Sequence, residues 1–226
     1  MITDLQTEQK STLEKQVRKD FDKFIIEQGH PCVMAQTMFR MDKVSLHVYD
    51  HFGSAETAPE ILKDLKVYLD NYDFESNDFY TFMAVFNTGE PLTEVRFEKL
   101  LWQQLQYLHE EDRQPWDPEV SDDPDNKTFS FSLGGKAFYI IGMHPGSSRK
   151  ARQSPYPAMV FNLHRQFDQL RKTGTYRQVR DTIRKRDVAF EGDINPMLDD
   201  FGNSSEARQY SGRKADDGWK CPFHHK

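Results

Sequence analysis

Cysteine is scarce: the 226-residue chain has two, Cys32 and Cys221, near opposite ends. That excludes the disulfide framework of a small secreted domain and a four-cysteine iron–sulfur site within one chain. Long apolar runs are missing as well; none reaches the ~18–20 residues that span a bilayer. The opening MITDLQTEQKSTLEKQ lacks the basic-then-apolar order of a secretory leader. Positive charge is in deficit, with 30 Lys and Arg against 36 Asp and Glu for a net charge of −6. The pI of about 5.8 argues against a general nucleic-acid binder. There is no P-loop, GxGxxG, HExxH or GxSxG, so these familiar nucleotide, zinc-protease and esterase signatures are absent. No internal repeat or low-complexity tract is visible. A soluble cytoplasmic protein with no membrane or nucleic-acid partner is the expectation.

Aromatic residues are plentiful at 13%, with 17 Phe. They imply a large folded interior despite a mean hydropathy of −0.80, which the 29% of charged residues explains. The length suits one substantial core, read as a single domain over 1–226. Leu13, Val17, Phe21, Phe24 and Ile25 form one stripe, so a helix is expected from about Thr7 to Gln28. CVMAQTMF reads as a strand, which Met41-Asp42-Lys43 would join in a hairpin to the alternating run Val44–Tyr49. Thr57 and Glu60 read as a capping box for a helix that buries Ile61, Leu65 and Leu69. YTFMAVF reads as a central strand, and Glu94 to about His109 as a helix. Gly134-Gly135 lies between FSFSL and KAFYIIGM, a strong hairpin signal. AMVF forms another strand. Helices follow from near Arg165 and, after Gly174, through Tyr176, Val179 and Ile183. Residues from about 190 lose periodicity but keep Met197, Phe201, Trp219 and Phe223, so a C-terminal wrap is expected. The fold class that results is α+β: a mainly antiparallel sheet of about five or six strands with helices packed on it.

The chemistry concentrates in FSFSLGGKAFYIIGMHPGSSRKARQSPYPAMVFNLH. His144 and His164 each follow a strand, and a neutral imidazole there is a metal-ligand candidate. Their bland alternatives are a structural loop histidine and a helix-start residue. Ser147, Ser148, Arg149 and Arg152 suit carboxylate or phosphate, since guanidinium offers a planar fork of donors. A solvated basic turn is the competing reading. Asp112, Asp117, Glu119, Asp122 and Asp123 suit a cationic substrate, or form an exposed acidic loop. Glu206 and Arg208 are a further polar cluster. Cys221 lies in WKCPFHHK, a plausible thiolate-ligand context but a weak zinc pattern.

HPCVMAQ, FEKLLWQQLQYLHEED, WDPEVSDDPDNKTFSFSLGGKAFYIIGMHPGSSRKAR, VFNLHRQFDQLR, IRKRD, INPMLDDFGNSSEARQYSGR and WKCPF follow one another from His30 to Phe223. In this order they resemble the YqcI/YcgG family, which includes the haem-dependent N-hydroxylase of guanitoxin biosynthesis and related arginine hydroxylases. The resemblance implies haem b, with iron that activates dioxygen, and hydroxylation of a guanidino nitrogen on arginine or a related small molecule. It implies an external electron donor, since no flavin or ferredoxin motif is present. For the iron, His144 stands ahead of His164 and His109, with Cys221 as the thiolate alternative. Arg149, Arg152 and Ser148 would clamp propionates, and Asp112, Asp117 or Glu206 would hold the guanidinium. Trp102, Trp116 and Phe138 are candidate walls. A non-catalytic haem sensor or carrier, and a haem-free phosphate-ester enzyme, are the competing functions.

Overall fold

The computed structural model describes residues 2–193, 200–216 and 218–225, with side chains from residue 8 onward. Among the described residues, seven α-helices and five strands run in the order α1 (Ile2–Asp22), α2 (Val33–Arg40), β1 (Val44–Tyr49), α3 (Thr57–Asp70), β2 (Thr81–Phe86), α4 (Glu94–Glu111), β3 (Phe131–Leu133), β4 (Lys136–Met143), β5 (Ala158–Leu163), α5 (His164–Lys172), α6 (Tyr176–Glu191) and α7 (Ala207–Tyr210). A π-helical turn, Lys23–Glu27, extends α1. No helix among the described residues is long and apolar enough to cross a membrane.

The α+β class holds. One sheet has strand order β1-β2-β5-β4-β3. β1 and β2 are parallel, because α3 carries the chain back between them, and the other pairs are antiparallel. The β3–β4 turn is the one expected. Gly134 and Gly135 both take positive φ (60° and 72°), as a two-residue hairpin loop with the right strand twist requires.

CVMAQTMF is not a strand. Val33–Arg40 is helical, with Cys32 as N-cap: its sulfur accepts the Ala35 N–H (3.4 Å). Ala, Gln and Met favour helix, and Gln36, Met38 and Phe39 bury one face. The hairpin expected with β1 therefore does not form, and Asp42, at φ 54°, turns the chain from helix into strand. The capping box also fails. Glu56 occupies the N-cap with no side-chain bond, and Thr57 Oγ1 instead donates to the His51 carbonyl (2.8 Å).

The alternation of β2, β4 and β5 divides the core between the two sheet faces. Phe82, Phe86, Phe138, Ile140 and Phe161 pack against α3, α4 and the C-terminal residues Ala207, Tyr210 and Phe223. Met197, named with them in the sequence, lies outside the described residues. On the opposite face Met83, Val85, Met143 and Val160 meet Val17, Phe21, Phe24, Ile25, Met38 and Phe39. On that second face a cavity opens between the sheet and α6.

Candidate functional site

The cavity has a volume of about 310 Å³, within the range of ligand and cofactor pockets. Its floor is Thr81 and Met83 of β2, Val160 and Asn162 of β5, and Tyr139, Ile141 and Met143 of β4. α6 forms the roof through Tyr176, Val179, Arg180, Ile183, Arg184 and Asp187. That spacing is one helical stripe, part apolar and part charged. The π-helical turn and α2 close one end with Ile25, Cys32 and Met38; Phe167, Arg171 and Phe201 close the other.

His30 is part of the wall. Its Nδ1 accepts the Cys32 N–H (3.1 Å), so the proton sits on Nε2, which donates to the Ala151 carbonyl (2.9 Å). Burial pushes its pKa down to about 4, with Arg152 and Arg186 adding to the shift. Both ring nitrogens are therefore committed.

His164 is 6% exposed at the junction of β5 and α5. Asp168, one helical turn on, faces Nδ1 at 3.3 Å and is itself held by Arg171 at 2.6 Å. Burial would raise the Asp168 pKa, but hydrogen bonds and charge from His164 and Arg171 hold it below its usual value. His164 Nε2 is buried with no hydrogen-bond partner. The nearest carboxylate is Glu206 Oε1 at 3.8 Å, and Phe201 packs edge-on against the ring at 4.3 Å. Both Glu206 and Phe201 line the cavity. Glu206 is pushed up to about 7, chiefly by burial.

The other sequence candidates lie elsewhere or are already engaged. His144, 1% exposed, stacks on Phe97 at 4.4 Å, and its backbone N–H donates to the Arg152 carbonyl. Burial lowers its pKa, its Nδ1 is unpartnered, and it does not line the cavity. Ser148 gives both its N–H and its hydroxyl to Glu94 (2.9 and 2.8 Å). Arg149 is bridged to Asp187 (3.0 Å) and Asp193 (2.8 Å). Arg152 lines the cavity, and one of its nitrogens donates to the Gly142 carbonyl at 2.8 Å. His109 belongs to an aromatic cluster with Trp116, Phe223 and His225, away from the cavity. Cys221 packs on the α4 side of the core, where burial pushes its thiol up to about 12. Trp102, Trp116 and Phe138 belong to that same side.

Asp112 and Asp117 pin the hairpin. Asp112 accepts the N–H groups of Gly134 (2.7 Å) and Gln114 (3.0 Å). Asp117 accepts those of Ala137 (2.9 Å) and Glu119 (3.0 Å). Asp117→Ala is expected to cost ~1–3 kcal/mol in urea unfolding, because buried donors lose their partner, with ligand affinity unchanged. A fall in affinity without loss of stability would return Asp117 to the site.

The sequence model of the YqcI/YcgG family matches residues 21–224. The chain belongs to this family. Among its members, the uncharacterized protein YqcI of Bacillus subtilis (strain 168) is 28% identical over 207 residues, covering 87% of this chain and 81% of that protein. The uncharacterized protein YcgG of the same strain is 26% identical over 203 residues, covering 85% and 80%. No solved structure matches. The matched region contains the whole cavity.

Among the described residues no group of three or more His, Cys, Asp or Glu side chains is placed to hold a metal ion, but haem iron needs as little as one protein ligand. His164 meets that need. Its Nε2 is free, and its Nδ1 is turned toward a carboxylate, the second-shell arrangement common to ligating histidines. The donor set and the mainly apolar walls fit the group.

Proposed function

We propose that this protein is a haem-dependent oxygenase that N-hydroxylates a small guanidino compound, arginine or a relative of it. The observation that carries the reading is the buried, unpartnered Nε2 of His164, directly behind the cavity-lining Glu206 and Phe201. Haem b, when bound, supplies dioxygen activation, with electrons from an external donor. The chain's own residues do the rest. His164 would hold the iron, and Asp168 would fix the ring and keep the proton on Nδ1. Glu206 offers a carboxylate to a guanidinium, which pairs with it bidentately. Ile141, Val160 and Ile183 keep water from the reacting end.

The test is absorption spectroscopy of protein produced with haem supplied. A Soret band with about one haem per chain is expected, and with a reductant, dioxygen and L-arginine the product is hydroxyarginine. Absence of both the band and chemically assayed haem would sink the reading. Haem without turnover on any guanidino compound would leave a carrier or sensor.

A further inference from the structure

Most charged side chains that line the cavity are matched. Arg149 pairs with Asp187, Arg171 with Asp168, and Arg180 and Arg184 with Asp200. Two are not. Arg152, 8% exposed, has no carboxylate within 4.0 Å among the described residues; Glu206, 4% exposed, has no Lys or Arg there, only His164 Nε2 at 3.8 Å and the Tyr210 hydroxyl at 3.4 Å. A buried charge without an opposite full charge beside it is costly. The pair is opposite in sign and lines one cavity.

Their placement is defined by α7. Glu206 is its N-cap, and the Arg152 guanidinium reaches the Gln209 and Tyr210 carbonyls at the other end (3.5 Å each). Four residues of helix separate these points by ~6 Å. Tyr139 lies between, its hydroxyl donating to Gln209 Oε1 (2.9 Å). Burial raises its pKa first, Arg152 pulls it back and Glu206 pushes it up, so it feels both groups. Of the five guanidinium N–H donors, only the one to Gly142 makes a short bond. The Nη1 and Nη2 bonds to Tyr210 and Gln209 are long, and the Nε–H and the second Nη2–H make no hydrogen bond among the described residues, so these are available to a ligand.

We propose that Arg152 anchors the carboxylate of the substrate and makes the cavity select guanidino compounds that carry a carboxylate over those that lack one. The assignment of the cationic end to Glu206 rests on the function proposed above; the Arg152 anchor does not depend on haem. A phosphate ester without a cationic group fits poorly, because it leaves Glu206 without an opposite charge.

Calorimetry of the haem-loaded protein with L-arginine and with agmatine, which keeps the guanidinium and lacks the carboxylate, tests this. L-Arginine is expected to bind at least ~tenfold more tightly, the worth of one charge-assisted bond. Arg152→Met is expected to bring L-arginine down to the agmatine level, and Arg152→Lys to fall between. Arg152 also holds the Gly142 carbonyl, so each variant is first checked by thermal melting; should both unfold, the wild-type ratio decides. Equal binding of the two compounds, tighter binding of inorganic phosphate, or a folded Arg152→Met with the ratio intact would overturn the anchor. Binding of neither compound would remove the anchor together with the guanidino site. A preserved ratio in protein that takes up no haem would leave the anchor standing and remove the oxygenase.

Discussion

Haem-reconstituted His164→Ala is expected to lose its Soret band, while His144→Ala keeps it. The two histidines look alike in sequence, each after a strand. They differ in what surrounds the ring. Neither ring lines the cavity; His144 lies flat on Phe97, with α4 over it, whereas His164 touches the lining residues Glu206 and Phe201. His164 has a free nitrogen beside cavity residues and a carboxylate behind the ring. Asp168→Ala should act more mildly, weakening haem by ~10–100-fold, as loss of an orienting partner does. The measurement is haem titration followed by absorption. His144→Ala should show in urea unfolding instead, at ~2–4 kcal/mol, because it leaves a hole against Phe97. A Soret band lost with His144 and kept without His164 would reverse the assignment.

The sequence signalled most of the architecture where one period dominates. The β2 run TFMAVF is apolar at nearly every position and is buried throughout, and the paired glycines fixed the β3–β4 turn. CVMAQTMF misled because eight residues are too few for periodicity to separate a buried helix from a strand. The thiol of Cys32 as N-cap is also an unusual signal, since Ser, Thr, Asp and Asn normally fill that role. The parallel β1–β2 pair was hidden for a related reason: with a strand assigned before β1, a hairpin needed no crossover.

The site was legible in its parts and not in its assembly. Glu206 and Arg152 both stand out in the sequence, yet they are 54 residues apart in the numbering and line one cavity only because α7 packs against β4. The acidic loop drew attention through its charge density. Asp112 and Asp117 spend that charge on the hairpin amides, a local use that composition cannot distinguish from ligand binding. Asp168 was missed, although His164 and Asp168 are four residues apart where a helix begins, the spacing at which side chains meet. His30 was missed because its motif was assigned to a strand.

His30 gives the second large effect, on stability against pH. Its pKa is 6.5 in an unfolded chain and about 4 in the folded one, because burial and the neighbouring Arg152 and Arg186 disfavour the imidazolium. The folded state thus refuses a proton that the unfolded state accepts. The sign follows: no stability is lost above the unfolded value of about 6.5, it falls as pH drops from there toward 4, and the His30 contribution is flat below that. At about 1.4 kcal/mol per pKa unit the loss is ~3 kcal/mol, a large share of a typical domain's stability. His30→Gln removes the titration. Urea melts between about pH 7 and pH 4 should show the variant losing ~3 kcal/mol less than wild type. Parallel curves would mean that the imidazole takes its proton freely in the folded protein. His30 anchors the Cys32 turn to Ala151 in the wall of the cavity. Protonation would put a proton on Nδ1, where the Cys32 N–H now donates, and turn acceptor into donor. Acid should therefore loosen this wall before it melts the sheet, so cavity ligands should leave at a higher pH than the one at which the fold is lost.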